Sequence, residues 1–79
     1  MANFPREVRV MKISARNMLK GKVKEISRGA VNSEVIVSIA PGVDIVSIIT
    51  NHSVENLNLA KGSDVYAVIK ASSVIIAAD

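Results

Sequence analysis

The sequence predicts an all-β domain in which five short strands close a Greek-key barrel, with one short helix between the third and fourth. Two observations carry this reading. Val and Ile number 22 of the 79 residues while Leu numbers 3, and β-branched side chains suit a pleated surface better than a helix. Short runs of apolar and polar residues are also separated by Gly, Pro or Ser breaks.

The elements follow in order. Residues 1–10, interrupted by Pro5, read as an N-terminal extension to a domain spanning 11–79. From Asn17 to Ser27 the chain alternates, with Lys20, Lys22 and Lys24 on one face and Leu19, Val23 and Glu25 on the other, which predicts a half-exposed first strand. Arg28-Gly29-Ala30 breaks it. Val31 to Ala40 is the second strand, with Val35, Val37 and Ile39 on one face, and Pro41-Gly42 turns the chain into a third strand, Val43 to Thr50. Thr50 or Asn51 suits the start of a short helix that ends near Asn58. After a turn at Lys61-Gly62, Asp64 to Lys70 is the fourth strand. Ala71-Ser72-Ser73 interrupts, and Val74 to Ala78 is the fifth. Five strands with a helix after the third is the order of an OB-like barrel.

Composition narrows the function. No stretch approaches the roughly 20 apolar residues that a membrane helix requires. MANFPREVRV lacks the continuous apolar core of a secretory signal, so a cytoplasmic address is expected. The absence of cysteine excludes disulfides and thiolate metal sites, and a single imidazole, His52, argues against a protein-built zinc or iron centre. A domain this short needs a staple. Both faces of strands three to five are apolar, so subunit association is the expected one. Residues 1–28 carry +6 and residues 29–79 carry −3, which points the first third toward an anionic partner or, more plainly, toward a solvated lysine face.

No catalytic constellation emerges. His52 reads as a solvent-facing or capping imidazole, no Gly-rich phosphate loop exists, and the expectation is a binding protein and not an enzyme. Tyr66 reads as a barrel-wall or subunit-contact residue. Three polar clusters instead interrupt the apolar runs: Ser14-Ala15-Arg16-Asn17, Thr50-Asn51-His52-Ser53 and Lys70-Ala71-Ser72-Ser73. Each offers hydrogen-bond donors and no carboxylate, the inventory for holding a fully deprotonated anion. A helix start at Thr50–Ser53 would add backbone N–H groups. On composition alone, capping residues, a strand-entry turn and a hydroxyl-rich break are the simpler explanation of the same clusters.

The combination Met11-Lys12-Ile13-Ser14-Ala15-Arg16-Asn17, Gly21-Lys22-Val23, Gly29-Ala30-Val31-Asn32, Ile49-Thr50-Asn51, Ser53-Val54 and Val65-Tyr66-Ala67-Val68-Ile69-Lys70-Ala71-Ser72-Ser73-Val74 closely resembles the molbindins, the small Mop proteins of the TOBE domain superfamily. The likeness spans residues 11–79, and its most specific parts are the SARN start and the VYAVIKASSV end. The resemblance implies an OB-like domain that binds molybdate or the near-isosteric tungstate, with no other cofactor. It further implies a homohexamer, a trimer of dimers, holding the oxyanion at subunit interfaces. Carried over by position, the oxyanion shell is Ser14, Ala15 through its backbone N–H, Arg16, Thr50, Ser53, Lys70 and Ala71. The turn Gly29-Ala30-Val31-Asn32 is the corresponding candidate for a second oxyanion site.

The chemistry of the ligand agrees with such a shell. Molybdate is a tetrahedral dianion with four acceptor oxygens and no proton, so hydroxyls, N–H groups and cations satisfy it and a carboxylate repels it. Hydrogen phosphate carries a proton that needs an acceptor, and sulfate is smaller. The function expected is intracellular storage and homeostasis of molybdate or tungstate. Two alternatives stand beside it: an OB module for single-stranded nucleic acid, poorly served by only Phe4 and Tyr66, and a regulatory subunit of an oxyanion transporter or regulator.

Overall fold

Alternating β-branched runs give strands whose inward side chains must meet, and the ladder they choose fixes the architecture. The computed structural model describes residues 16–79. Four strands, β1 (Asn17–Arg28), β2 (Asn32–Ala40), β3 (Val43–Thr50) and β4 (Asp64–Ile69), form one antiparallel sheet in the order β3-β2-β1-β4. A helix, α1 (Asn51–Asn56), follows β3 directly. The expectation of an all-β chain with one short helix between the third and fourth strands matches this order.

The β2–β3 hairpin closes through two residues, since Ala40 pairs with Val43. Gly42 sits there at φ 77°, the left-handed region that glycine enters without steric cost and that the Pro41-Gly42 order supplies. The helix ends in a Schellman motif: Leu59 N–H bonds the Val54 carbonyl, Asn58 N–H bonds that of Glu55, and Asn58 takes φ 53° between them. Val54 and Leu59 then both pack on the core. That core is small. Val23, Val35, Val37 and Val54 are its buried apolar side chains, with Ile26, Ile39, Ile45, Ile49, Leu59 and Val65 against them.

Two expectations need correction. Val23 faces Val37 but Glu25 faces Ile36, so Lys24 is an extra residue, a β-bulge in β1. Beyond it the facing of the strand inverts: Ile26 packs on the core and Glu25, expected inside with Val23, is exposed. The fifth strand does not form among the described residues. Val74–Ala78 has no ladder partner, and Ile75 and Ile76 are 91% and 84% exposed. A strand is defined by pairing, and β-propensity alone cannot supply the partner. The strand boundaries also move slightly, with β1 reaching Arg28, β2 starting at Asn32 and β4 ending at Ile69.

Among the described residues the sheet does not close, since β3 and β4 do not pair with each other. Its two edges, β3 and β4, flank an apolar cavity of about 260 Å³ lined by Val37, Ile45, Ile49, Leu59, Val65 and the half-buried Tyr66, among others. Among the described residues, no helix is long and apolar enough to cross a membrane.

Candidate functional site

The first donor cluster is assembled by a ladder between residues more than fifty positions apart. Asn17 opens β1 opposite Ile69 at the end of β4, and its Nδ2 donates to the Ile69 carbonyl at 3.2 Å. Arg16, just before β1, and Lys70, just after β4, are therefore brought to the same end of the sheet. Both are exposed, and among the described residues neither is ion-paired. By contrast Lys22, Lys24 and Arg28 are compensated by Asp64 at 2.7 Å, Asp44 at 2.8 Å and Glu55 at 3.0 Å. The hydrogen bond from Lys22 holds the Asp64 carboxyl below its ordinary range, and the one to Asp44 raises Lys24 above its own. Two of the three lysines on the basic strand face are thus neutralised, while Arg16 and Lys70, like Lys20 and Lys61, carry no ion pair among the described residues.

After Lys70 the chain makes a 3₁₀ turn, Ala71–Ser73, which accounts for the hydroxyl-rich break. Its bonds run from Ser73 N–H to the Lys70 carbonyl at 2.9 Å and from Val74 N–H to that of Ala71 at 3.3 Å. The Ala71 and Ser72 N–H groups lie outside the turn's own bonding, as first-turn donors do. Arg16 and the segment 70–73 thus bring a guanidinium, an ammonium, amides and hydroxyls to one end of the sheet, with no carboxylate among those residues. Ser14 and Ala15 lie outside the described residues.

The second cluster is built by capping. Thr50 leaves β3 in extended conformation, and its Oγ1 accepts from Ser53 N–H at 3.0 Å. The Thr50 hydroxyl also donates to Ser53 Oγ at 2.9 Å, so each hydroxyl already serves the other. The N–H contribution expected from the helix start is correspondingly reduced. His52 is exposed and meets only Asn56 Nδ2, at 3.2 Å, in keeping with a capping or solvent-facing imidazole.

The turn at Gly29-Ala30-Val31-Asn32 is held by Gly29 N–H donating to the Asn32 carbonyl at 2.8 Å. Two residues absent from the expected shell fasten it. Asn51 donates from Nδ2 to the Gly29 carbonyl at 2.9 Å and from its backbone N–H to Val31 at 2.8 Å, while the buried Ser33 hydroxyl donates to Asn51 Oδ1. The signal was present in the sequence. Ser33 occupies the inward register of Val35, Val37 and Ile39, where a hydroxyl requires a partner.

The two clusters sit at opposite ends of β1. Asn17 pairs with Ile69 at one end, and Arg28 pairs with Ser33 at the other, where Asn32 pairs with Thr50. Eleven residue steps separate Asn17 from Arg28, about 36 Å along the strand at roughly 3.3 Å per step.

Comparison with known proteins adds the family. A family model described as the TOBE domain matches residues 13–76. Molybdenum-pterin-binding protein 3 of Clostridium pasteurianum is 47% identical over 68 residues, covering 86% of this chain and 100% of that protein. Among solved structures, a molybdate-binding protein from Sporomusa ovata superposes with a TM-score of 0.80 at 38% identity, covering 86% of this chain and all of the other. The cytoplasmic molybdate-binding protein ModG, solved with molybdate bound, superposes at 0.78 with 48% identity over 82% of this chain and 46% of its own.

Proposed function

This chain belongs to the TOBE domain family, and from that premise we propose that it binds molybdate, or near-isosteric tungstate, between subunits of a homo-oligomer. The observation that carries the proposal is the split of a donor-only inventory. Ladder register sets Arg16, Lys70 and Ala71 toward one end of β1 and Thr50 and Ser53 toward the other. The proposed shell takes the two sets from two copies. Ser14 and Ala15, which precede Arg16 in sequence and lie outside the described residues, belong to the proposed shell by resemblance alone.

The unclosed sheet supports association on separate grounds. Among the described residues an apolar cavity lies between two edge strands with no outer partner, and the apolar segment Val74–Ala78 is exposed. One copy's segment covers the other's cavity and becomes the fifth strand of an OB-like barrel, burying Ile75 and Ile76. Six copies, arranged as a trimer of dimers, follow from the resemblance. The role is a non-catalytic cytoplasmic reservoir that stores and buffers the oxyanion. A nucleic-acid role has less behind it, because Lys22 and Lys24 are already ion-paired and Tyr66 is half-buried in the cavity wall.

Titration calorimetry of the purified protein against molybdate, tungstate, sulfate and phosphate tests the proposal. Molybdate and tungstate are expected to bind in the micromolar range or tighter and the other two much more weakly. Equal heats for sulfate and molybdate would overturn the selectivity, and no heat from any oxyanion would overturn the function.

A further inference from the structure

Among the described residues, Asn51 is the side chain that ties the Gly29–Asn32 turn to the β3–α1 junction from both sides. Its amide nitrogen holds the Gly29 carbonyl at 2.9 Å, its oxygen accepts from Ser33, and its backbone N–H holds the Val31 carbonyl at 2.8 Å. Ser33 is 1% exposed, so this arm of the clamp is anchored in the core and not in solvent. Thr50, whose hydroxyl caps the helix, is the residue immediately before the clamp and also pairs with Asn32 across the ladder. The turn and the Thr50–Ser53 segment therefore cannot shift independently while Asn51 keeps its three bonds. A hydrogen-bonded, partly buried hub of this kind transmits position because its alternatives leave polar groups unpaired.

We infer that Asn51 is a positioning residue that makes the Gly29–Asn32 turn and the Thr50–Ser53 segment one rigid unit, so that an anion held by either element orders both. The inference rests on the oxyanion reading above. It adds the residue through which two separate stretches of the chain respond together, and it assigns Asn51 no contact with the anion. The salt bridge from Arg28 to Glu55, at 3.0 Å, ties the end of β1 to the same helix but is exposed on both sides, so it contributes less to the rigidity.

The test compares wild type, Asn51→Ala and Ser33→Ala, with sodium molybdate as the probe. In wild type, saturating molybdate should slow hydrogen exchange at the Gly29 and Asn51 amides by the same factor. In Asn51→Ala the Gly29 amide should lose this response, and molybdate should bind about tenfold more weakly at a temperature well below melting, roughly the effect of one hydrogen bond. Ser33→Ala, which keeps the bond to Gly29, should fall between the two and covers the case in which Asn51→Ala does not fold. A lowered melting temperature with unchanged molybdate affinity, or unequal protection of the two amides in wild type, would overturn the positioning role while leaving the oxyanion function intact. Wild type that takes up no molybdate would overturn that function, and the coupling with it.

Discussion

The Ser33 hydroxyl, buried on β2, donates to Asn51 Oδ1 at the first residue of α1. It is the only buried polar side chain among the described residues, and it faces the core beside Val35. Ser33→Ala should cost about 1–3 kcal/mol, because it leaves the Asn51 oxygen without its partner. Denaturant unfolding in the absence of any oxyanion measures this, and a cost near zero would mean that water replaces the hydroxyl without loss.

Gly21→Ala should destabilise the fold by a comparable amount. A Cβ at residue 21 would stand 2.5 Å from the Ser38 carbonyl oxygen and 2.9 Å from Val37 Cγ1, beside the Lys22–Ser38 pair where the β1–β2 ladder begins and within the β1–β4 ladder. Backbone cannot yield there without opening the ladder, and overpacking of this kind costs roughly 1–3 kcal/mol. A shifted denaturant midpoint with an unchanged slope is the expected outcome.

Lys70→Ala should weaken molybdate binding far more than Lys22→Ala. Lys70 is not ion-paired among the described residues, and Lys22 is held by Asp64 at 2.7 Å. A charge-assisted hydrogen bond contributes roughly 1.5–3 kcal/mol, or about 10- to 150-fold in affinity. Calorimetry of the two variants decides the matter, and equal losses would move the site onto the basic face of β1.

Removing residues 74–79 should disrupt assembly and ligand-linked stability together. An anion that binds only the assembled protein adds RT ln(1 + [L]/Kd) per site, about 2.7 kcal/mol at a hundredfold excess over Kd. Full-length protein should scatter light as a hexamer and melt higher in molybdate than in sodium sulfate of matched ionic strength. The truncated chain should do neither. A truncated hexamer would show that the segment is dispensable for association.

The pH dependence of stability should include a shallow acid limb from Asp64. Lys22 lowers its folded pKa, so this contribution is present above the unfolded value near 4 and fades as pH falls through the folded one. Asp64→Asn should remove that limb. The effect is small because the Asp64 side chain is 68% exposed, and added salt should shrink it further.

By itself the sequence determined four of the five expected strands, the hairpin and the helix. Alternation in β2, the Pro41-Gly42 turn and the Thr50 cap are signals carried by a few neighbouring residues, and local backbone preference suffices to read them. Donor chemistry without carboxylates was equally legible, because it depends on residue type alone. Tertiary structure decided the rest. The bulge at Lys24 inverts Glu25 and Ile26, and it exists only in register against β2. Val74–Ala78 has every preference of a strand and pairs with neither edge of the sheet among the described residues. Arg16 comes to the same sheet end as Lys70, and Ser33 bonds Asn51, through ladders and turns that join distant positions. Such pairings are chosen by the packing of the whole sheet, where burying Val23, Val35 and Val37 together outweighs any local preference.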